Sequence, residues 1–248
     1  MSYTTDLGLY IDGSWRTGEG RDCHNVINPA TGETLAALPL ATAADLDEAL
    51  VATAKGFAHW RTVDVNARAA ILRKVADHIR ERAEVIAVLL TTEQGKPLAE
   101  ARTEVLSCAA QFEYFAEEAK RSYGRVLVRP TGQRALVLKQ PVGPVAAFSP
   151  WNFPVNLMCK KMAAALAAGC SIIAKPPEET PASTSAIMQC VIDGGVPGNV
   201  AQLVYGVPDM VRASPPANRL PPAGGAAAPA GGPGRPGAAA ERRPDPPG

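Results

Sequence analysis

The chain has 248 residues, of which 46% are hydrophobic and 20% are charged, and its formal net charge is +1. This composition indicates a globular protein with enough apolar residues for a core. The near-neutral charge gives no basic face for nucleic acid, and no apolar run approaches the roughly 18 residues of a membrane span. The first ten residues lack the charged and apolar regions of a signal peptide, so we expect a cytoplasmic protein.

The five cysteines follow neither a metal-binding nor a disulfide pattern. They are an odd set without CxxC spacing, whereas zinc sites use closely spaced pairs and disulfide frameworks use even numbers. We therefore expect no metal site and free thiols in a reducing compartment, at Cys23, Cys108, Cys159, Cys170 and Cys190.

The first part of the chain predicts a small β-structure followed by helices. "LYIDGSW" alternates around an Asp-Gly pair, which indicates a β-hairpin, and "NPATGE" is a second turn. Apolar residues then recur at helical spacing behind an N-cap at Thr42. A longer amphipathic stretch, one helix or two, closes on Gly95. A third helical segment begins with Pro97 in its first turn and ends at Gly124.

The next segments predict a hairpin and then an α/β unit. "RVLVRP" and "RALVLKQP" are joined by "TGQ", and their prolines limit this hairpin to an edge or an excursion. Apolar strands in "GPVAAFSP", "CSIIAKP" and "NVAQLVYG" then alternate with two helices, the second capped by Thr180 with Pro181 at its first position. This order predicts a parallel sheet with right-handed crossovers. A sheet that stops after three strands is expected to expose an unpaired edge.

Residues 212–248 differ from the rest of the chain. They contain ten Pro, seven Gly, ten Ala and five Arg, with Leu220 as the one large aliphatic side chain. Such a segment cannot bury enough apolar area to offset its chain entropy, so we predict disorder. All four residue types have codons that can consist of G and C alone, which favours out-of-frame translation after Val211. The alternatives are a linker whose next domain has been cut off and a Pro-rich interaction tail.

Polar side chains follow the first two strands of the predicted sheet. Because ligands bind outside the carboxyl ends of parallel strands, Asn152, Lys175 and Glu178 are expected to converge on one crevice. The Asn152 amide is an uncharged donor suited to an oxyanion at a carbonyl carbon, and Pro150 and Pro154 restrict its backbone. On the residues alone, the alternative is an ordinary Pro-rich turn.

Lys175 and Glu178 suit the hydroxyl groups of a sugar. Both can hydrogen-bond such groups, and a carboxylate there would repel a 2′-phosphate, which favours NAD over NADP. The alternative for both residues is a solvated position at the edge of a loop.

The segment "SPWNFPVNLMCKKMAAALAAGCSIIAKPPEETPAS" resembles the N-terminal part of the cofactor-binding domain of the aldehyde dehydrogenase superfamily. "YIDGSW", "NPATGE", "TTEQGKPLAEA" and "FEYFAEEAKRSYG" match upstream in the family's order. The resemblance covers about residues 8–211 and is closest to the NAD(P)-dependent succinate-semialdehyde dehydrogenase branch. It implies an α/β, Rossmann-type parallel sheet that is preceded by long helices and is incomplete.

This resemblance divides the chain into four parts. Residues 1–124 are the N-terminal β-hairpin and helical part of the cofactor-binding domain, and residues 125–141 are an oligomerisation-type β-hairpin. Residues 142–211 are the first β-α-β-α-β of the NAD(P)-binding sheet, and residues 212–248 are the disordered, out-of-frame tail.

The resemblance also implies NAD(P)-dependent oxidation of an aldehyde to a carboxylate. In the family a cysteine thiolate attacks the aldehyde, hydride leaves to the nicotinamide, and a glutamate-activated water hydrolyses the thioester. Lys160 stands where the succinate-semialdehyde branch commonly has an arginine for the distal carboxylate, and a lysine cannot make the planar bidentate pair. By motif position Asn152 is the oxyanion-hole amide, the nicotinamide side is lined by Ser149, Pro150 and Trp151, and the adenine ribose is held by Lys175, Pro177 and Glu178.

Three later family motifs do not occur in the sequence: the FTGS turn, the ELGG segment with the general base, and the GQxC segment with the nucleophile. Cys108, Cys159, Cys170 and Cys190 are interpreted as packing residues, so we expect the chain to be inactive alone. The alternative function is a non-catalytic module that pairs with a full-length homologue through the 125–141 hairpin.

Overall fold

The structure is a computed structural model that describes residues 3–206 except Thr5 and Glu19. The predictions of disorder and of an out-of-frame origin for residues 212–248 fall outside the described residues. The described chain has an α/β fold, and the predicted fold class is confirmed. Among its helices, none combines the length and the apolar character that crossing a membrane requires.

Both predicted N-terminal turns are confirmed. Strands β1 (Leu9–Ile11) and β2 (Ser14–Arg16) pair antiparallel. Asp12 and Gly13 between them have φ angles of 48° and 83°, the left-handed backbone that a tight two-residue hairpin turn requires. Strands β3 (Cys23–Ile27) and β4 (Thr34–Pro39) form a second antiparallel pair around the "NPATGE" turn.

Helices α1 to α4 follow, where three helical segments were predicted. The Thr42 hydroxyl accepts from the Asp45 backbone N–H and the Asp45 carboxylate accepts from the Thr42 N–H, which confirms the predicted cap. The long amphipathic stretch forms two helices that meet at Arg82, and it ends at Gly95 in the left-handed conformation (φ 86°). The bounds are α1 Ala43–Trp60, α2 Val65–Glu81, α3 Ala83–Gln94 and α4 Leu98–Ala119.

The predicted bounds of the last of these helices were wrong at both ends. Pro97 precedes α4 as its N-cap residue, and the helix ends at Ala119. Gly124 instead lies at the start of a hairpin, where a Cβ would stand 2.5 Å from the Val137 carbonyl oxygen. The glycine is therefore explained by the close approach of another strand and not by a helix end.

The predicted hairpin in residues 125–141 is present with short strands. Strand β5 (Arg125–Leu127) pairs antiparallel with β6 (Ala135–Val137), and the two form a sheet of their own. Val126 and Leu136, which are register partners, are 73% and 66% exposed. The hairpin therefore presents apolar side chains to solvent.

The predicted β-α-β-α-β unit is confirmed. It consists of β7 (Val145–Phe148), α5 (Pro154–Ala168), β8 (Ile172–Lys175), α6 (Pro181–Asp193) and β9 (Ala201–Leu203), and its three strands are parallel neighbours. The sheet order is β2-β1-β9-β8-β7. The edge of β9 is covered, because β1 lies antiparallel beside it with Tyr10 opposite Leu203, so in the part of the chain that the structure describes the unpaired edge of the parallel strands is left at β7. Within the described residues, β7 has β8 as its one strand partner.

The first crossover helix packs closely through small side chains. Ala163, Ala165 and Ala167 of α5 are buried, as expected for a helix that lies near a sheet. The Trp60 indole N–H donates to the Leu166 carbonyl at 2.9 Å and ties α1 to α5. Gly169 ends α5 in the left-handed conformation (φ 87°).

The predicted cap of α6 was wrong in its chemistry. Thr180 stands at the N-cap position, but its hydroxyl is buried and has no hydrogen-bond partner. The Glu93 carboxylate of α3 instead accepts from the backbone N–H groups of Ala182 and Ser183, both at 2.9 Å, and from the Tyr3 hydroxyl at 2.8 Å. A side chain from another helix therefore satisfies two of the free N–H groups at the start of α6.

Candidate functional site

The residues between β7 and α5 form one wall of the candidate site. The backbone N–H of Ser149 donates to the Lys175 carbonyl at 3.1 Å, so the start of this segment lies beside the end of β8. The Ser149 hydroxyl is buried without a partner. Asn152 is exposed, and its side-chain amide makes no hydrogen bond to the described residues. The amide is therefore free to donate to a ligand.

The side chains that flank Asn152 are large, aromatic and exposed. Pro150 is also exposed, and Trp151 and Phe153 are exposed by 57% and 52%. Exposed aromatic faces beside a free amide can contact the planar rings of a ligand.

Lys175 and Glu178 form an ion pair after β8. The Lys175 Nζ lies 2.6 Å from Oε1 and 2.8 Å from Oε2 of Glu178, and Oε1 also accepts from the Gly206 backbone N–H at 2.9 Å. Pro177 between them is buried. The structure thus brings Lys175 and Glu178 together and joins Lys175 to Ser149 through a backbone hydrogen bond, but the Asn152 amide makes no hydrogen bond to Lys175 or Glu178.

Lys160 lies on α5, eight residues after Asn152. It is exposed and has no ion-pair or hydrogen-bond partner in the described part of the chain. Its neighbour Lys161 is already engaged, since its Nζ donates to the carbonyl of Phe148 in β7. Lys160 is therefore the one of this pair whose charge remains available to a ligand.

A cleft of about 430 Å³ opens beside this segment, between α4 and the start of α5. One side is a ladder of hydrogen bonds: the Gln111 amide donates to the Asn156 side-chain oxygen at 3.0 Å, and the Asn156 amide donates to the Ser107 hydroxyl at 2.9 Å. Phe153 also lines the cleft. Polar groups in a mainly apolar cleft can fix the orientation of a small molecule.

Two residues of this region were missed by the sequence analysis. Glu104 lies at the edge of the cleft and is buried, and Lys96 pairs with it. A signal for Glu104 was present, because it falls on the apolar stripe of α4 between Ala101 and Cys108, where a carboxylate needs a partner.

The five cysteines are free, as predicted. Cys23 is exposed in β3 and the other four are buried. Burial raises the pKa of the Cys159 thiol, and the adjacent Cys108 raises it further. Burial also raises the pKa of Cys190 to about 11, although Arg82 opposes this shift. These thiols are poor nucleophiles, because the thiolate is the reactive form.

The chain belongs to the aldehyde dehydrogenase family, whose model matches residues 15–214. It is 51% identical over 201 residues to a 4-(hydroxymethyl)benzenesulfonate dehydrogenase of Comamonas testosteroni. The matched region covers 81% of this chain and 42% of the relative. It is 40% identical over 198 residues to a glutarate-semialdehyde dehydrogenase of Pseudomonas putida, with 79% of this chain and 41% of the relative covered. The chain thus spans less than half the length of these relatives.

Solved structures of aldehyde dehydrogenases also resemble the chain. The succinate-semialdehyde dehydrogenase of Burkholderia pseudomallei superposes with a TM-score of 0.80 at 41% identity, covering 83% of this chain and 43% of that one. A betaine aldehyde dehydrogenase of Staphylococcus aureus in complex with NAD+ superposes with a TM-score of 0.80 at 30% identity, covering 84% and 43%. The predicted resemblance, including that to succinate-semialdehyde dehydrogenases, is confirmed.

Proposed function

We propose that this chain supplies the carbonyl-polarising amide and the ribose-binding part of an NAD(P)-dependent aldehyde dehydrogenase site. The observation that carries the proposal is the placement of the Asn152 segment and the Lys175–Glu178 pair after neighbouring parallel strands. The free Asn152 amide would donate to the aldehyde oxygen as negative charge develops there. One such donor lowers the barrier by about 3 to 4 kcal/mol in comparable sites.

The side chains present fit a dinucleotide. The buried Ser149 hydroxyl lacks a hydrogen-bond partner. The Lys175 ammonium has three N–H donors and pairs with only one carboxylate, that of Glu178, so it can also donate to a ligand. Ser149, Pro150 and Trp151 would line the nicotinamide, and Lys175, Pro177 and Glu178 would hold the adenine ribose. A bound nicotinamide would supply the hydride acceptor for the oxidation. The Glu178 carboxylate disfavours a 2′-phosphate, which supports NAD over NADP.

We further propose that the aldehyde carries an acidic group at its far end. The relatives include dehydrogenases of 4-(hydroxymethyl)benzenesulfonate, glutarate semialdehyde, 3-sulfolactaldehyde and succinate semialdehyde, names that each contain a sulfonate or a carboxylate. The free charge of Lys160 on α5 suits such a group. A lysine acts as a point charge, so it does not demand the planar carboxylate geometry that an arginine favours.

The 248-residue chain alone is expected to oxidise no aldehyde and to bind dinucleotide poorly. Its sequence has neither the nucleophile nor the general-base motif, and burial raises the pKa of the Cys159 and Cys190 thiols. We expect no NADH formation from succinate semialdehyde and no saturable change in tryptophan fluorescence on NAD+ titration. NADH formation by the purified chain would refute this part of the proposal.

The catalytic role of Asn152 is tested in a protein that contains the missing motifs. Residues 1–206 are joined to the part of the Comamonas testosteroni relative that follows its matched region, and this protein is called the fusion below. The fusion is expected to reduce NAD+ with aldehyde, and Asn152→Ala is expected to lower its kcat about 100- to 1,000-fold. Asn66→Ala, at an exposed position in α2, is the control. An Asn152→Ala fusion with unchanged kcat would contradict the assigned role.

The exposed hairpin favours a second candidate function, a non-catalytic module that pairs with a full-length homologue. Val128 and Leu138, beside the two strands, are 99% and 70% exposed. Co-expression with a tagged full-length relative tests this function. Recovery of the chain with the tagged protein supports pairing, whereas recovery of the tagged protein alone counts against it.

A further inference from the structure

A buried ion pair lies directly behind the Asn152 segment. Lys96, in the loop before α4, pairs with Glu104 on the second turn of α4, and their side chains are only 8% and 2% exposed. Removing two charges from water is costly, and a buried pair often stabilises a fold no better than apolar residues would. Both side chains also bind backbone groups at the start of α5.

Lys96 holds the residues on the N-terminal side of α5. Its Nζ donates to the backbone carbonyl of Asn152 at 3.2 Å and lies 4.5 Å from the centre of the Phe153 ring. The first contact fixes the peptide group that follows the Asn152 Cα. The second holds the next side chain by a cation–π interaction.

Glu104 holds the other end of the same segment. While Oε2 binds Lys96, Oε1 accepts from the backbone N–H of Asn156 at 3.1 Å. Asn156 is the third residue of α5, and Phe153 at the N-cap position provides no side-chain cap. A carboxylate at this end also interacts favourably with the helix dipole.

We propose that Lys96 and Glu104 are positioning residues that fix the direction of the Asn152 amide. One ion pair holds the Asn152 carbonyl and the Asn156 N–H, so neither end of this short segment can turn without breaking a charge-assisted hydrogen bond. Pro150 and Pro154 were expected from the sequence to restrict the Asn152 backbone, but they restrict only their own φ angles and the residues before them, which leaves this restraint to the ion pair. The catalytic meaning of the proposal rests on the proposed function, but the restraint itself is measurable without turnover.

The test uses the 248-residue chain uniformly labelled with 15N. Lys96→Met removes the donor to Asn152 while keeping an apolar stem, and Glu104→Gln keeps one acceptor oxygen. Both are expected to shift the Asn152 side-chain NH2 resonances, which are assigned by their loss in Asn152→Ala. Both are also expected to speed hydrogen exchange of the Asn156 backbone amide about tenfold. Lys120→Met, which breaks a surface ion pair with Glu117, should change neither.

Each single variant leaves one buried charge unpaired, so the double variant Lys96→Met/Glu104→Gln is the decisive one. It is expected to fold with unchanged exchange of the Ile79 amide in α2, but to show the shifted Asn152 resonances and the faster exchange at Asn156. Unchanged Asn152 resonances, a uniform rise in exchange across the chain or failure to fold would each overturn the proposal. The Asn152→Ala fusion tests the proposed function separately.

Discussion

The Asn152 amide and the Lys160 ammonium are both exposed and both lack a partner within the described residues. Most charged side chains nearby are engaged: Lys161 binds the Phe148 carbonyl, and Lys175 binds Glu178. In the proposed function, the Asn152 amide and the Lys160 ammonium, eight residues apart in the sequence, are the two groups that would hold a substrate. A substrate with a carbonyl at one end and an anion at the other would use both.

Lys160 is therefore expected to affect acidic substrates selectively. In the fusion, Lys160→Ala should lower kcat/KM for succinate semialdehyde about tenfold and leave that for propanal within about twofold, because only the first substrate has a charge to bind. Lys160→Arg should retain or improve activity with the carboxylate. Steady-state kinetics measure both effects, with Lys74→Ala as the surface control. Equal losses for the two aldehydes would exclude a charge-based role.

At the scale of elements, α3, α4, α5 and α6 are joined by carboxylates that cap a neighbouring helix. Glu93 of α3 accepts from the first turn of α6, and Glu104 of α4 accepts from the first turn of α5. Both acidic residues lie on the apolar stripe of their own helix, so each is buried. The first turns of α5 and α6, which follow the two segments of the candidate site, are thus held by helices earlier in the chain.

Glu93 should make stability depend on pH. Burial raises the pKa of its carboxyl to about 7, although hydrogen bonds from Ser183, Tyr3 and Ala182 lower it. Between about pH 4.5 and 7 the folded chain retains a proton that the unfolded chain has released, so the free energy of unfolding should fall as pH rises through this range. Urea titrations at several pH values measure this fall.

Glu93→Gln provides the comparison for that measurement. The glutamine amide cannot ionise. The free energy of unfolding of this variant should therefore decline less between pH 5 and 7.5 than that of the parent chain. Glu100→Gln, at an exposed position in the first turn of α4, should keep the parent slope. Parallel profiles for the parent chain and Glu93→Gln would show that Glu93 is ionised throughout the range.

At the scale of the whole molecule, the described chain buries a continuous core but leaves two surfaces open. The β5–β6 hairpin exposes apolar side chains, and β7 has a strand partner on one side only among the described residues. Exposed apolar patches and free strand edges both favour association with another chain. The N-terminal hairpin removes a third such surface, because β1 covers the edge of β9.

The hairpin should therefore control association in solution. Val126→Lys/Leu136→Lys places two charges on one exposed face and is expected to shift the 248-residue chain towards the monomer in sedimentation velocity experiments. Val51→Lys, at an exposed apolar position in α1, is the matched control and should leave the distribution unchanged. If the hairpin variant associates as strongly as the parent chain, the contact lies elsewhere.

Much of the fold could be predicted because its signals are local. The Asp12-Gly13 turn, the Thr42 cap and the helix ends at Gly95 and Gly169 depend on residues within one or two turns of each other. The position of the Asn152 and Lys175 segments after neighbouring strands could also be predicted, since polar residues after buried strands have a known place at the sheet edge. Pro97 and Gly124 were misassigned because proline and glycine occur in several kinds of local structure. Contacts with other segments of the same chain decide between these structures.

The sequence by itself determined the order of strands and helices, the family, and the residues Asn152, Lys175 and Glu178 as candidates. Tertiary structure decided that β1 pairs with β9, that Glu93 caps α6 and that Lys96 and Glu104 hold the Asn152 segment. The bond from the Asp12 N–H to the Gln202 side chain joins residues 190 apart, the Glu93–Ala182 bond spans 89 and the Glu104–Asn156 bond spans 52. A charged residue on the apolar stripe of a predicted helix indicates that a partner is needed, but only the packed core shows which group binds it.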